Sequence, residues 1–343
     1  MQKVLDDYPA LAAAIRNLLS AGVTASEVAG LMAHVNSETK LVPLKKMDAW
    51  ERSIRDELWA SERGATETSW KFWMRPRRFT SWLDLCSHDG RKREAALRVN
   101  SADAPSAFLL ALGLRRLNDW VPQVRSAARE TLPELASNSE PQDVADVLWS
   151  LLEHWSTWGR MEPADREAVV AIASREPVSL ALKSKIMSTT AGPAALVLSQ
   201  CARLTSFDSW IGEFAQGAVQ PTVRARAFRW MFVGRSSWVV GRKWKWTDVA
   251  YCKGKLEPIL ESRDLPANQP FMATLCAAME DRSPMVRRVA AEFLIRELAS
   301  IGDNAFVLAH RTASDPNPSV AERGNFALKQ LNQKDAAAPK NAA

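Results

Sequence analysis

Apolar residues recur at helical spacing along most of this chain of 343 residues. Residues 3–35 carry two such runs, and residues 48–62 carry a third, with Trp50, Ile54 and Leu58 on one side. Spacings of three and four residues place side chains on one face of a helix, so each run predicts an amphipathic helix. We therefore interpret residues 1–78 as an N-terminal helical module or cap.

From residue 79 onwards, the predicted helices come in pairs, and many begin with proline. Proline suits the first helical position because its missing N–H would have no partner there. The predicted helices are Phe79–Leu85, Gly90–Leu97, Pro105–Leu117, Pro122–Ala136, Gln142–Trp155, Pro163–Ala173, Ala194–Leu204, Trp210–Ala218, Pro221–Phe232, Pro270–Glu280, Pro284–Leu298, Asn304–Ala313 and Pro318–Leu331. The pattern predicts an all-α fold of antiparallel helical hairpins.

A short sequence motif recurs at the second helix of these pairs. Its clearest copies are Asp119–Ala128 and Asp281–Ala290, a partial copy is Asp315–Ala321, and a faint one is Val219–Ala227. Each has a turn with proline, then a helix that opens on valine, usually followed by arginine. Repeated units of this kind are the signature of stacked repeat architectures.

The motif resembles that of the HEAT repeat family. In that family, a turn aspartate and an arginine six residues later form a ladder between neighbouring units. Asp119 with Arg125 and Asp281 with Arg287 match this spacing. The other copies depart from it, because Ala321 stands where arginine is expected and the copy at Val219 has no aspartate. The resemblance implies an α-solenoid over residues 79–331. Such solenoids serve as scaffolds, adaptors and nucleic-acid binders, so the resemblance alone does not choose a function.

One segment breaks the helical rhythm. From Ser236 to Thr247, aromatic and basic residues alternate with a period of two around Gly241 and Arg242. This period predicts a short β-hairpin or extended loop, inserted at about residues 235–256. The last residues, 332–343, are rich in Ala, Lys and Pro without apolar periodicity, and they predict a disordered tail.

Composition narrows the class of protein. The chain is 47% hydrophobic and 24% charged, as in folded globular domains. Its four cysteines lie far apart and its four histidines form no ligand pattern, so we expect free thiols, no metal and no cofactor. With neither a signal segment nor a 20-residue apolar run, we expect a cytoplasmic protein without a membrane partner or a small-molecule cofactor.

Positive charge gathers near the predicted insertion. Nine basic residues and one acidic residue lie between Thr222 and Leu256, with four tryptophans among them. Basic groups attract phosphate and indole rings stack on bases, so this surface predicts DNA or RNA binding through the backbone. A second basic run lies beside Trp70, Phe72 and Trp73. The candidate contact residues of the two regions are Arg75, Arg77, Arg78, Arg235, Arg242, Lys243, Trp244, Lys245, Trp246 and Lys253.

Other interpretations stay open. The same residues suit a solvated surface, core packing of the tryptophans, or a protein scaffold that holds a partner subunit. A third alternative is a DNA glycosylase that removes alkylated bases, since some HEAT-like solenoids combine a basic face with tryptophan and an acidic residue. No P-loop, dinucleotide turn, HExxH or GxSxG motif is present, so we expect a binding protein without catalytic residues.

Overall fold

A computed structural model describes residues 4–20, 25–67, 79–100, 103–266 and 270–337. The chain divides into two compact units, unit 1 (Met1–Leu182) and unit 2 (Lys183–Ala343). Both are mostly helical. In the described part of the chain, no helix is both long and apolar enough to cross a membrane.

Unit 1 is built from α-helices and short 3-10 turns. Its α-helices are α1 (Pro9–Ser20), α2 (Ala25–Thr39), α3 (Met47–Glu67), α4 (Gly90–Val99), α5 (Ala107–Leu114), α6 (Pro122–Asn138), α7 (Pro141–His154), α8 (Pro163–Ala173) and α9 (Glu176–Ser188), which continues into unit 2. Its 3-10 helices are Val4–Asp7, Trp82–Cys86, Arg115–Asn118 and Trp155–Thr157.

Unit 2 adds a β-hairpin to its helices. The elements are α10 (Ala194–Cys201), a 3-10 helix (Thr205–Trp210), α11 (Ile211–Gly217), α12 (Pro221–Val233), β1 (Arg235–Asp248), β2 (Lys253–Asp264), α13 (Phe271–Met279), α14 (Pro284–Arg296), α15 (Leu298–Ile301), α16 (Asn304–Ala313) and α17 (Pro318–Ala337). The two strands pair antiparallel.

Most of the predicted helices occur, with bounds that differ by a few residues, and the short α15 was not predicted. Phe79–Leu85 is replaced by the 3-10 turn Trp82–Cys86. Helix α9 was missed, although Val178, Leu182 and Ile186 follow one another at a spacing of four and are buried. Helix α17 runs on to Ala337, into the predicted tail, since Gln333, Lys334 and the alanines have good helix propensity. Residues 338–343 lie outside the described residues.

The first three helices belong to a larger unit. The compact unit that contains these helices extends to Leu182, and the module boundary at residue 78 stays a prediction. Trp50 of α3 is buried and meets the ring of Phe108 on α5 at a centroid distance of 5.5 Å. The hydroxyls of Thr39 and Ser106 share a buried hydrogen bond of 2.9 Å. These contacts join α2 and α3 to α5.

Arginines connect successive turns inside each unit. Arg93 donates through Nη1 to the carbonyl of Ser87, six residues earlier, at 2.8 Å. Its Nε and Nη2 atoms donate to both carboxylate oxygens of Asp119, at 2.9 and 2.8 Å. Both side chains are almost fully buried. One arginine thus fixes its own turn and the next one by a bidentate ion pair.

The same six-residue spacing recurs at three further arginines. Arg125, Arg224 and Arg287 donate through Nη1 to the carbonyls of Asp119, Ala218 and Asp281, and their other donors reach Glu162, Asp281 and Asp315, respectively. We call these four arginines and their acceptors the arginine ladder. The ladder explains why two copies of the repeated motif depart from the aspartate and arginine pattern. Among the described residues, no earlier arginine donates to Ala218, so this first position of the unit 2 ladder needs no carboxylate. The unit 2 ladder ends at Asp315, which accepts from Arg287.

Candidate nucleic-acid interface

The hairpin is longer than the sequence predicts. The expected insertion covers about residues 235–256, whereas β1 and β2 together extend from Arg235 to Asp264. The alternating pattern correctly indicated extended structure. The turn lies at residues 249–252, and Gly241, the centre of the pattern, instead follows an irregularity in register after Val239. We distinguish the hairpin base (residues 235–240 and 260–264) from the distal hairpin (residues 241–259).

The hairpin base is held by the helices of unit 2. Trp238 is buried, its indole Nε1 donates to Glu261 at 3.1 Å, and Arg203 lies 5.1 Å from its ring centroid. Ser199 and Gln200, at the end of α10, donate to the carbonyls of Ser237 and Val239 at 2.8 and 3.1 Å. Side-chain donors thus satisfy backbone acceptors at a strand edge and fix where the hairpin leaves the unit.

On β2, Arg263 completes this anchor. Its guanidinium donates to the carbonyl of Ala202 at 2.8 Å and to the carboxylate of Asp208 at 2.7 and 2.5 Å. At the first residue of β1, Arg235 pairs with Asp264 at 2.8 Å. The cations of the hairpin base are therefore neutralised by carboxylates of unit 2.

The distal hairpin has a different environment. From Arg242 to Thr247, every residue of β1 is exposed, and most of the opposing residues on β2 are exposed as well. A hairpin of two strands is marginally stable by itself, and its free edges can pair with other molecules. A long hairpin with both faces in solvent is typical of an element that contacts a partner.

Strand alternation separates the distal hairpin into two faces. Side chains of alternate residues point to opposite sides, and directly paired residues share a side. Arg242 pairs with Pro258, Trp244 with Leu256, and Trp246 with Gly254. These six residues form the aromatic face. The opposite face, which we call the lysine face, is formed by the pairs Lys243 with Glu257 and Lys245 with Lys255.

The two indoles of the aromatic face are available to a partner. Trp244 is 49% exposed and Trp246 is 53% exposed, with their rings edge to face at 5.6 Å. Trp244 lies over Gly254 so closely that a Cβ on that glycine would come within 2.5 Å of the indole. Glycine at 254 is therefore required for this position of the Trp244 ring.

The lysine face is partly neutralised. Glu257 pairs with Lys245 at 3.3 Å and with Lys255 at 3.2 Å, and these contacts lower the pKa of the Glu257 carboxyl. Lys253 instead lies 5.6 Å from the ring of Tyr251 in the turn. Arg242 and Lys243 are exposed and have no ion-pair partner among the described residues. The distal hairpin holds five basic residues and two acidic ones.

The structure thus sorts the predicted site residues. Arg242, Lys243, Trp244, Lys245, Trp246 and Lys253 lie together on the distal hairpin, while Arg235 lies at its base in an ion pair. Arg75, Arg77 and Arg78 lie outside the described residues. Sequence reasoning missed the acids of β2, Glu257, Glu261 and Asp264, because the predicted insertion ended at residue 256. The continued alternation from Lys255 to Arg263 was the available signal.

Three other arginines of the predicted basic surface have structural contacts in α12. Arg224 belongs to the arginine ladder and is 1% exposed. Arg226 donates to the hydroxyl of Ser199 at 3.0 Å, and Arg229 pairs with Glu292 at 2.7 Å. The cationic surface is therefore smaller than the nine basic residues of the sequence indicate, and it is concentrated on the distal hairpin.

Comparison with known proteins gives no assignment: the chain matches no protein-family model, and no curated protein or solved structure is significantly similar to it. Within the ranges that the structure describes, no group of three or more histidine, cysteine, aspartate or glutamate side chains is arranged to hold a metal ion.

Proposed function

We propose that this protein is a non-catalytic nucleic-acid-binding protein, in which HEAT-like helical hairpins form an α-solenoid scaffold for the β-hairpin. The distal hairpin holds a DNA or RNA strand by its backbone and by base stacking, without sequence readout. One observation carries the proposal. Exposed indoles and cations without an ion-pair partner among the described residues occur together on the distal hairpin, while the cations of the hairpin base are paired with carboxylates.

The charge distribution supports a polyanionic partner. An ion pair inside the protein competes with an external phosphate, so Arg235, Arg263 and Arg224 are poor candidates for phosphate contacts. Arg242 and Lys243 have no such competitor among the described residues. Lys245 and Lys255 share the single carboxylate of Glu257, so together they keep one excess positive charge. Binding of phosphates at these positions would release counterions and strengthen association at low salt.

The separation of faces supports a single-stranded ligand in particular. Arg242, Trp244 and Trp246 lie in alternate positions of one strand and therefore share the aromatic face. Unpaired bases can stack on the two indoles while Arg242 contacts the backbone, and each stacked base contributes about 1–3 kcal/mol. Bases inside a duplex are already stacked and offer no such contact.

A protein partner is the second candidate, and exposed apolar residues favour it. Val249 and Tyr251 in the turn are 73% and 75% exposed, and Leu256 on the aromatic face is 56% exposed. Tyrosine and tryptophan are enriched at the centres of protein interfaces. In that case the scaffold would present the hairpin to a partner subunit, and binding would depend on these apolar groups.

The test is fluorescence anisotropy of labelled single-stranded and double-stranded DNA and RNA, titrated with the full chain over a salt series. We expect the single strands to bind more tightly, with log K falling linearly as log salt rises. Absence of binding to every oligonucleotide at low salt would contradict the proposal and favour a protein partner. Release of a base from alkylated DNA in the same samples would contradict the non-catalytic assignment.

A further inference from the structure

Unit 1 contains a large cleft, and none of its lining residues belongs to the hairpin. It has a volume of about 930 Å³ and lies between the start of α3, the end of α7, and the 3-10 turns Arg115–Asn118 and Trp155–Thr157. Small-molecule sites commonly have volumes of about 300–1,000 Å³. The cleft can therefore hold a ligand of the size of a nucleotide.

One wall of the cleft is an arginine network around Glu51. The carboxylate of Glu51 pairs with Arg55 and Arg116 at 2.6 Å and with Arg115 at 3.1 Å. Burial would favour the neutral acid, but the positive charges of Arg116, Arg115 and Arg55 lower its pKa to about 2. The carboxylate is thus ionised at neutral pH and is fully used by arginines.

The network carries more positive than negative charge. Asp119 accepts hydrogen bonds from Arg93 and Arg116, and Arg115 also pairs with Asp48. Four arginines therefore share three carboxylates. Arg116 is 5% exposed, and its buried Nε has no hydrogen-bond partner among the described residues. A buried donor of this kind calls for an acceptor.

Three more cations line the cleft outside this network. Lys45, Lys46 and Arg160 are exposed, and none of them has an ion-pair partner in the described ranges. Glu153 is the one further acid of the lining, and it lies 3.8 Å from the imidazole of His154. The lining therefore has an excess of positive charge, which favours an anionic ligand.

Two tryptophans give the cleft flat surfaces. The guanidinium of Arg93 lies 5.7 Å from the ring centroid of Trp120, and that of Arg115 lies 6.0 Å from the ring centroid of Trp158. Trp120 is nevertheless 67% exposed, so most of its surface is open to a ligand. The exposed indole of Trp120 and the half-buried indole of Trp158 offer stacking surfaces for a planar ring.

We propose that this cleft binds a nucleotide unit, with its base against Trp120 or Trp158 and its phosphate at Lys45, Lys46 and Arg160. The ligand is either a free nucleotide or one unit of a strand, because both present a phosphate next to a planar ring. This proposal does not depend on the function of the hairpin, and the cleft would still bind a nucleotide unit if the hairpin bound a protein.

The test is 19F NMR of the full chain labelled with 5-fluorotryptophan. The Trp120 and Trp158 resonances are assigned with Trp120→Phe and Trp158→Phe, and AMP, adenosine, inorganic phosphate and a pentanucleotide are titrated separately. We expect AMP to shift one of these resonances saturably, and adenosine and phosphate each to bind at least about tenfold more weakly. A shift with the pentanucleotide but not with AMP would identify a strand as the source.

Matched variants locate the phosphate. Lys45→Ala with Arg160→Ala should weaken AMP binding about tenfold or more, while Lys40→Ala with Arg91→Ala removes two exposed cations outside the cleft and should leave it unchanged. Arg242→Ala with Lys243→Ala on the hairpin should also leave the AMP shift unchanged. Three results would overturn the proposal. They are no shift of either resonance by any phosphorylated probe at millimolar concentration, binding of adenosine as tight as that of AMP, and binding of an oligoglutamate peptide as tight as that of AMP.

Discussion

The arginine ladder and the distal hairpin use the same kind of residue in opposite ways. Arg224 of the ladder is 1% exposed and donates to both oxygens of Asp281, at 2.7 and 2.9 Å. Arg242 on the distal hairpin is exposed, and no described carboxylate pairs with it. The difference is whether the fold brings an acid to the guanidinium. Paired, buried arginines connect the turns of each unit, whereas unpaired, exposed ones remain available to a partner.

The largest effect on stability is expected from removing a carboxylate acceptor of the arginine ladder. Asp281→Ala leaves Arg224 buried without its carboxylate, and we expect the free energy of unfolding to fall by about 3–5 kcal/mol. Chemical denaturation followed by circular dichroism measures this change. Asp264→Ala is the matched control, because it breaks the exposed ion pair with Arg235 and should cost less than about 1 kcal/mol. Equal losses in the two variants would contradict the structural role of the ladder.

A second buried carboxylate makes the stability of unit 1 depend on pH. The pKa of Glu51 is about 2 in the folded protein, well below its ordinary value, so the unfolded chain takes up this proton first as the pH falls. The contribution of Glu51 is therefore complete above about pH 4.5 and is lost as the pH falls to about 2. We expect Glu51→Gln to cost several kcal/mol at pH 7, on the order of the 3–5 kcal/mol seen for broken buried pairs.

The measurement is denaturation of both proteins between pH 7 and pH 2. The difference in unfolding free energy between the wild-type chain and Glu51→Gln should shrink steadily below about pH 4.5. A difference that stays constant down to pH 2 would show that the arginines around Glu51 do not hold its charge.

On the distal hairpin, removing exposed side chains should lower the affinity for a nucleic acid and leave the stability of the fold unchanged. Replacing Trp244 and Trp246 by alanine removes two exposed indoles, and we expect the affinity for a single strand to fall by about 1–3 kcal/mol per lost stacked base. Anisotropy gives the affinity, and thermal unfolding serves as the control, because neither ring is in the core. A large loss of stability with unchanged affinity would assign the indoles to packing.

A smaller loss of affinity is expected when the indole of Trp244 is displaced. Gly254→Val places a Cβ where the Trp244 ring now lies, so the ring must move while every charge is kept. Valine suits a β-strand, so we expect the hairpin to form and the affinity to fall by about 1 kcal/mol, the low end of the value for one stacked base. Unchanged affinity would indicate that the position of Trp244 over Gly254 has no part in binding.

The sequence predicted most helices because each has its own apolar stripe and often an initial proline. It also predicted extended structure at Ser236–Thr247, where the period of two is local. The partners of the cations could not be predicted in this way. Arg224 reaches Asp281 across 57 positions, with the whole hairpin between them, and Glu257 lies beyond the predicted end of the insertion. Pairing depends on tertiary contacts, which a local pattern does not contain.

The charge density of a segment therefore overestimated its binding surface. Arg224, Arg226 and Arg229 contribute to the basic count of the sequence, yet all three have partners in unit 2. The arginine ladder itself was partly readable, since Arg125 and Arg287 follow their turn aspartates at fixed spacing. Arg93 was missed because its turn has Ser87 in place of the aspartate, and only the carbonyl of that residue is needed there.

The most direct test of the central claim compares two double variants over a salt series. Arg242→Ala with Lys243→Ala removes two cations of the distal hairpin that have no ion-pair partner among the described residues. Arg282→Ala with Arg288→Ala removes the same charge from exposed positions just before and within α14. Single-strand binding loses about 0.7 in the slope of log K against log salt for each phosphate contact removed. We expect the slope to fall by about 0.7 to 1.4 in the hairpin variant only, because Arg242 and Lys243 lie on opposite faces and one or both can contact a phosphate of the strand. Equal slopes in both variants and the wild-type chain would contradict this expectation.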